Sequence, residues 1–322
     1  MPHHVLTPIS QALADGILTR RELKALMRRS NQPAFLHLAV WVLLLGATGT
    51  LIWLSMGTLW VVPAMLLHGI VLVHHFSLQH ECCHYTVFRT RWLNDVVGWI
   101  CGVIINVPHQ HFRYEHCDHH TYTQLTGKDP EQIELPKSFA GYFWYVSAIP
   151  YIYAQARALL RHSAGLMDDS ELVFLPKETH KIIFWEARLM LLFYLGLLAI
   201  CLATGWSGPL WYWLLPYLMG EPVMRAIRMT EHVGRPPLPD MQVNTRTNLV
   251  SRPLRFLCWN MNYHAEHHYA SSVPFHALPR LHEKLKGYVY VEPRGYLGAH
   301  QDIWAQLSNR KPRADRLEEV GH

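Results

Sequence analysis

The chain has 322 residues, of which 50% are hydrophobic and only 16% charged, whereas soluble domains carry roughly a quarter charged residues. That shortfall argues against an ordinary soluble protein of this length. The formal charge of +5 comes without a basic cluster interleaved with base-stacking aromatics, so nucleic-acid binding is excluded as well.

Residues 1–33 form an amphipathic cytoplasmic segment. Arg20, Arg21, Lys24, Arg28 and Arg29 surround Leu18, Leu23, Leu26 and Met27, which is too charged for the apolar stretch of a signal peptide. Thr19 with Glu22 reads as a capping box, so the segment predicts a short basic helix lying on the anionic cytoplasmic leaflet. No Asp, Glu, Lys or Arg then occurs between Ser30 and His80. At about 20 residues per bilayer crossing, this tract predicts two spans, near Ala34–Met56 and Leu59–Phe76, with a tight turn at Gly57. A second charge-free tract between Leu189 and Gly220 predicts another pair, near Ile182–Ala203 and Pro209–Arg225, turning at Gly205, Gly208 and Pro209. Tracts of this length disfavour the alternative of helical hairpins buried in a large soluble core.

Trp92–Pro108 and Gly141–Leu160 are apolar but short or interrupted by Asp95, Pro150 and Arg157, and they predict interfacial or re-entrant helices. Both hairpin turns lack Lys and Arg, while the basic residues sit in the N-terminus, middle and C-terminus, so all three are expected to face the cytoplasm. Beyond Lys284 the chain reads as a polar, irregular tail. The expected fold is an all-α membrane protein with two transmembrane helical hairpins, about four spans, under a cytoplasmic helical cap. Residues 34–284 make up the membrane and catalytic domain and 285–322 a cytoplasmic tail; in a bacterium the membrane would be the inner one. Cys82, Cys83, Cys101, Cys117, Cys201 and Cys258 form no Cys-x-x-Cys pair and read as reduced thiols.

Twenty-three histidines are present, and their spacing carries the chemistry. His80-Glu81-Cys82-Cys83-His84 places imidazoles at i and i+4 on one helix face. His116-Cys117-Asp118-His119-His120 offers three, at i, i+3 and i+4, and His264-Ala265-Glu266-His267-His268 repeats that spacing. His232 follows the fourth expected span and arrives from the same membrane side. Nine candidate ligands exceed the four or so that one zinc takes, which favours two metals, and imidazole suits iron. Glu81, Glu115, Asp118, Glu231 and Glu266 flank the clusters and are candidates to accept the outer N–H of a ligating imidazole. Asn244, Arg246, Trp259 and Asn260 approach the last box in sequence and are candidates to position substrate or support the site, with ordinary packing as the competing reading. His37 and His68, alone in apolar segments, read as structural. For His74, His75, His109 and His111 packing and site roles are evenly balanced.

With these boxes assembled, the sequence resembles the integral-membrane fatty acid desaturase and hydroxylase superfamily, whose three-box pattern is matched by His80/His84, His116/His119/His120 and His264/His267/His268. The resemblance covers roughly residues 63–281. It implies a non-haem centre of two iron ions that uses O₂ as co-substrate to remove hydrogen from an unactivated C–H bond of a lipid-like substrate. It also implies that His232 completes the ligand set and that Asn260 matches a polar residue near the last box. No His-Pro-Gly-Gly haem motif occurs, so electrons are expected from a separate ferredoxin, rubredoxin or cytochrome b5 type donor with its reductase. The three-residue gap of the first box also occurs in carotenoid, sphingolipid and alkane-oxidising members. That gap leaves the substrate class open; the resemblance implies desaturation as the expected reaction, with hydroxylation of a lipid, carotenoid or alkane-like substrate as the alternative.

Two other classes compete. His80-Glu81-Cys82-Cys83-His84 fits the His-Glu-x-x-His pattern of zinc peptidases, with Glu81 as general base, but leaves seven clustered histidines unexplained. A metal transporter would place its ligands inside the spans, whereas these boxes lie outside them.

Overall fold

The computed structural model describes residues 8–309, which are mostly helical, with one short parallel strand pairing. Two small helices come first, α1 (Pro8–Ala14) and α2 (Arg20–Leu26). The capping box forms: Glu22 N donates to Thr19 Oγ1 at 3.2 Å, and Thr19 N donates to the Glu22 carboxylate at 2.9 Å. The apolar side of α2, expected on lipid, is instead buried in protein. Leu18 and Leu26 belong to one core cluster with Tyr263, Tyr269, Leu281 and Leu285, and Glu22 pairs with Lys284 at 2.7 Å. An amphipathic pattern specifies an apolar partner without specifying which, and here Tyr263, Tyr269, Leu281 and Leu285 supply it.

α3 (Asn31–Ser55) begins at Ser30, whose hydroxyl accepts from Gln32 N, and ends before Gly57, where φ is 78°. Leu36, Leu43 and Leu54 point outward with nothing over them, the surface lipid would cover. α4 (Val61–Val73) continues past a break at His74 into α5 (His75–Cys83) as one 23-residue apolar run. α10 (His180–Thr204) lies in a 28-residue run that stops at left-handed Gly205. These three runs are the described helices long and apolar enough to cross a membrane. The most apolar stretch of α10 is 11% buried and that of α3 17%, against 67% for the run containing α4, so α4 is the central element and the other two are peripheral.

The fourth expected span differs in kind. A π-helical turn (Leu210–Leu214) leads into α11 (Leu215–His232), which carries Glu221, Arg225, Arg228 and Glu231 buried along its length. Glu221 and Arg225 pair at 2.8 Å, which lets these charges sit inside. α11 packs on α4 with the backbones nearly touching: a Cβ on Gly69 would overlap the Pro216 carbonyl, and one on Gly220 would overlap the Gly69 carbonyl.

Around this pair lie α6 (Arg91–Ile105), α7 (His109–Tyr122), α8 (Phe139–Val146) and α9 (Ile149–Ser163). α6 exposes Trp92, Val96 and Ile100 while burying Asn94, Cys101 and Ile105, the two-faced pattern of a helix between phases. α12 (Arg252–Leu257), α13 (His264–Tyr269) and α14 (Leu278–Leu285) follow α11. The stretch beyond Lys284 is not irregular as expected. β2 (Val291–Glu292) pairs with β1 (Thr247–Asn248), and α15 (Gly295–Ser308) brings Asp302 onto buried Arg246. An unpaired buried guanidinium would be costly, and the tail supplies its carboxylate. Residues 1–7 and 310–322, the outer parts of the two expected terminal segments, lie outside the described residues.

Candidate metal centre

Four elements deliver the nine histidines to one place. α5 carries His80 and is followed directly by His84, α7 carries His116, His119 and His120, α13 carries His264, His267 and His268, and α11 ends on His232. They sort into two groups whose candidate ligand atoms lie within 4.8 Å of one another: His80, His84, His116, His120 and His267, and beside them His119, His232, His264 and His268. Helical geometry explains the division. Residues four apart differ by about 40° around the axis, so His80/His84, His116/His120 and His264/His268 each stay together. The i+3 members, His119 and His267, rotate about 60° the other way and cross into the opposite group.

Within the larger group Nε2 of His80 lies 2.8 Å from Nε2 of His267, which is 3.1 Å from Nε2 of His120, itself 3.0 Å from Nε2 of His116. In the smaller group His264 Nε2 is 3.0 Å from His232 Nε2 and 3.1 Å from His268 Nε2. His84 Nε2 and His119 Nε2, one from each group, are buried without a hydrogen-bond partner. Nitrogens gathered this way, two of them orphaned, fit metal ions in both positions. Burial holds His116, His120, His264, His267 and His268 well below the usual imidazole range, and takes His84 down to about 3. Neutral rings keep a lone pair free for a metal. His119 differs: burial lowers it, but the Asp129 hydrogen bond and the charges of Glu131 and Asp129 outweigh that and raise it.

The carboxylates nearest the rings are only partly those expected from sequence proximity. Asp129 accepts from His119 Nδ1 and Glu131 from His116 Nδ1, each at 2.7 Å, which leaves both Nε2 atoms facing inward. Neither was singled out in the sequence; the one signal is an acidic Asp-Pro-Glu run shortly after the second box. Glu81 lies 3.6 Å from His267 Nδ1 and accepts from Thr86 Oγ1 and Phe275 N. Glu231 lies 3.6 Å from His264 Nε2 and pairs with Arg228.

The remaining flanking candidates sit elsewhere. Asp118 is half-buried on α7, and among the described residues it pairs with no box imidazole. Glu115 lies nearest His111, and Glu266 accepts from Thr247 and from His282 Nδ1, tying α13 to β1 and α14. Asn260 sits in a left-handed turn, φ 61°, and donates to Phe275 O. Asn244 presents its carbonyl 3.4 Å from His232 Nδ1, Arg246 donates to the carbonyls of Thr230 and Val233, and buried Trp259 stacks on His37.

The unassigned histidines are built into the helices. His37 bonds the Phe256 carbonyl; His68 joins Thr48 to the Tyr212 carbonyl; His74 and His75 bond the carbonyls of Ile70 and Leu72. The His109 ring fills the space over Gly98. Glu186 of α10 receives the backbone N–H groups of His109 and Gln110, capping α7 from another helix, a contact the sequence does not announce.

Residues 62–297 match the family described as fatty acid desaturase, and all nine histidines fall inside the match. The chain is similar to the chloroplastic omega-6 fatty acid desaturase of Glycine max, 24% identical over 231 residues, covering 68% of this chain and 54% of the relative. It is 24% identical over 243 residues to an sn-1 oleoyl-lipid 12-desaturase of Synechocystis sp., covering 68% and 66%. An sn-1 acyl-lipid omega-3 desaturase (ferredoxin) of Nostoc sp. is 23% identical over 277 residues, covering 80% and 74%. The chain thus spans between about half and two thirds of the length of the first two relatives.

Proposed function

The chain belongs to the fatty acid desaturase family, and from that premise we propose that it is an O₂-dependent membrane oxidoreductase that removes two hydrogens from a fatty-acyl or similar lipid chain at a two-iron centre. The observation that carries this reading is the division of nine imidazoles into a group of five and a group of four. Five imidazoles exceed a tetrahedral zinc site and suit iron. His80, His84, His116, His120 and His267 would hold one ion and His119, His232, His264 and His268 the other. Two irons so held would supply the O₂-derived oxidant for C–H cleavage.

The chain's own residues supply orientation and dryness. Asp129 and Glu131 fix which nitrogen of His119 and His116 carries the proton, while Phe76, Phe112 and Met224 form an apolar layer beside the centre. An apolar cavity of about 750 Å³ between α6, α9, α10 and residues 205–218 is a candidate berth for the lipid chain. A separate cavity of about 290 Å³, lined by Val107, Tyr151, Arg225 and Arg228, reaches Phe76, whose ring lies 6.3 Å from that of His80.

Four crossings, with α11 as the fourth, and a cytoplasmic centre are supported by hairpin turns that lack Lys and Arg while the N-terminus, middle and C-terminus carry them. A separate electron donor is part of the proposal; the ferredoxin in the name of the Nostoc relative favours that type over rubredoxin or cytochrome b5. The peptidase alternative is disfavoured because His80 and His84 share their group with three further histidines and Glu81 is engaged by Thr86 and Phe275. The test is a mass spectrum of lipids from cells expressing the chain or its His267→Ala variant. Loss of two hydrogens with the former alone supports desaturation; gain of one oxygen instead would mean hydroxylation.

A further inference from the structure

We propose that His111, His162 and Glu171 form a third cation site, separate from the two histidine groups, for one divalent ion of the zinc class. Three elements that are distant in sequence converge there: the first turn of α7, the last turn of α9 and the short turn Glu171–Val173. Nε2 of His111 and Nε2 of His162 lie 2.9 and 2.8 Å from the same carboxylate oxygen, Glu171 Oε1. The two rings are 4.9 Å apart and tilted by 39°, and all three candidate ligand atoms lie within 4.8 Å of one another.

Two imidazoles and one carboxylate aimed at one point are the protein ligands of an open zinc site, in which water takes the fourth position. The exposure fits that arrangement: the His162 side chain is 1% exposed, whereas those of His111 and Glu171 are each 13% exposed, leaving one open side. Glu115, one turn beyond His111, places Oε2 3.9 Å from His111 Nδ1, on the side where an outer acceptor orients a ligating ring.

Charge points the same way. Glu115 and Glu171 both face this imidazole pair, and among the described residues neither has an ion pair to Lys or Arg. Arg157 and Arg161 stand nearby but are taken by Asp168, at 2.8 and 2.7 Å. The Glu171 carboxylate between these two imidazoles, open on one side, makes a half-buried pocket suited to a dication. The ion would tie α7, which carries the second histidine box, to α9 and the Glu171 turn.

The competing account is a plain hydrogen-bonded cluster in which both imidazole N–H groups donate to Glu171. Titrating the iron-loaded, detergent-solubilised protein with Co²⁺ separates the two, because tetrahedral cobalt has visible absorption bands that a hydrogen-bonded cluster lacks. The expected result is one additional cobalt per chain with those bands. Glu171→Gln, which keeps the size and a hydrogen-bonding carbonyl, should weaken uptake at least about tenfold, and His162→Ala should abolish it. Iron is counted in the same samples, so failure of the histidine groups and failure of this site are read separately. No tetrahedral cobalt, or uptake that Glu171→Gln leaves unchanged, overturns the proposal.

Discussion

The second and third histidine boxes share one spacing and are held in different ways. On α7, 14 residues long, His116 and His119 have their Nδ1 atoms engaged by Glu131 and Asp129, and the helix start is capped by Glu186. On α13, six residues long, His264 Nδ1 and His267 Nδ1 have no hydrogen-bond partner, and His268 Nδ1 meets only the Thr123 hydroxyl at 3.1 Å. The rings of the third box are instead set by the burial of their whole helix, anchored through Glu266 to Thr247 and His282. One motif can thus be preorganised by carboxylates or by packing. The first box follows the packing route too, on a helix that prolongs a membrane run.

That contrast can be broken most severely by removing the ring that crosses between groups. His267→Ala takes the fifth imidazole from the larger group and opens a buried hole in α13, so product formation should fall to background, as measured by lipid mass spectrometry. A smaller effect is expected where only the outer partner changes. Asp129→Asn and Glu131→Gln keep the ligand rings but lose the charge that fixes their tautomer, and iron affinity or turnover should drop by roughly 10- to 100-fold. If these two variants retain full activity, carboxylate orientation on α7 is unimportant. Chelation sharpens the comparison further: in metal-stripped protein, amide exchange should rise more across residues 262–277 than across 109–122, because the box imidazoles of α13 lack the carboxylate partners that those of α7 have. Equal loss of protection in both segments would contradict it. The mildest change is Thr123→Val, which removes the one hydrogen bond to His268 Nδ1; an approximately fivefold loss of turnover is expected, equivalent to about 1 kcal/mol.

Much of the membrane architecture is legible in the sequence, for a physical reason. Lipid-facing stretches avoid charge, so α3 lies inside the first charge-free tract and α10 falls within a few residues of the span expected near Ile182–Ala203, although its first turns carry Lys181, Glu186 and Arg188. α11 is harder to read because Glu221 and Arg225 neutralise each other inside the bundle, and pairing of that kind leaves no trace in composition. The N-terminal leucines signal an apolar partner but not which residues supply it. The convergence of the histidines follows from their spacing, and so does their partition once the 40° and 60° offsets of a helix are applied, although the spacing alone does not say which pairs meet. Asp129, Glu131 and Glu186 are invisible to local reasoning. Two arrive by a loop that folds back under α7 and one from a helix more than 70 residues away, whereas Asp118 and Glu266 attract attention merely by lying between histidines.

The most direct test of the two-metal account is metal content in purified, detergent-solubilised protein beside a His119→Ala/His267→Ala variant, which removes one ring from each group. The account predicts about two irons per chain, lost from the variant. A single zinc retained by both proteins would contradict it.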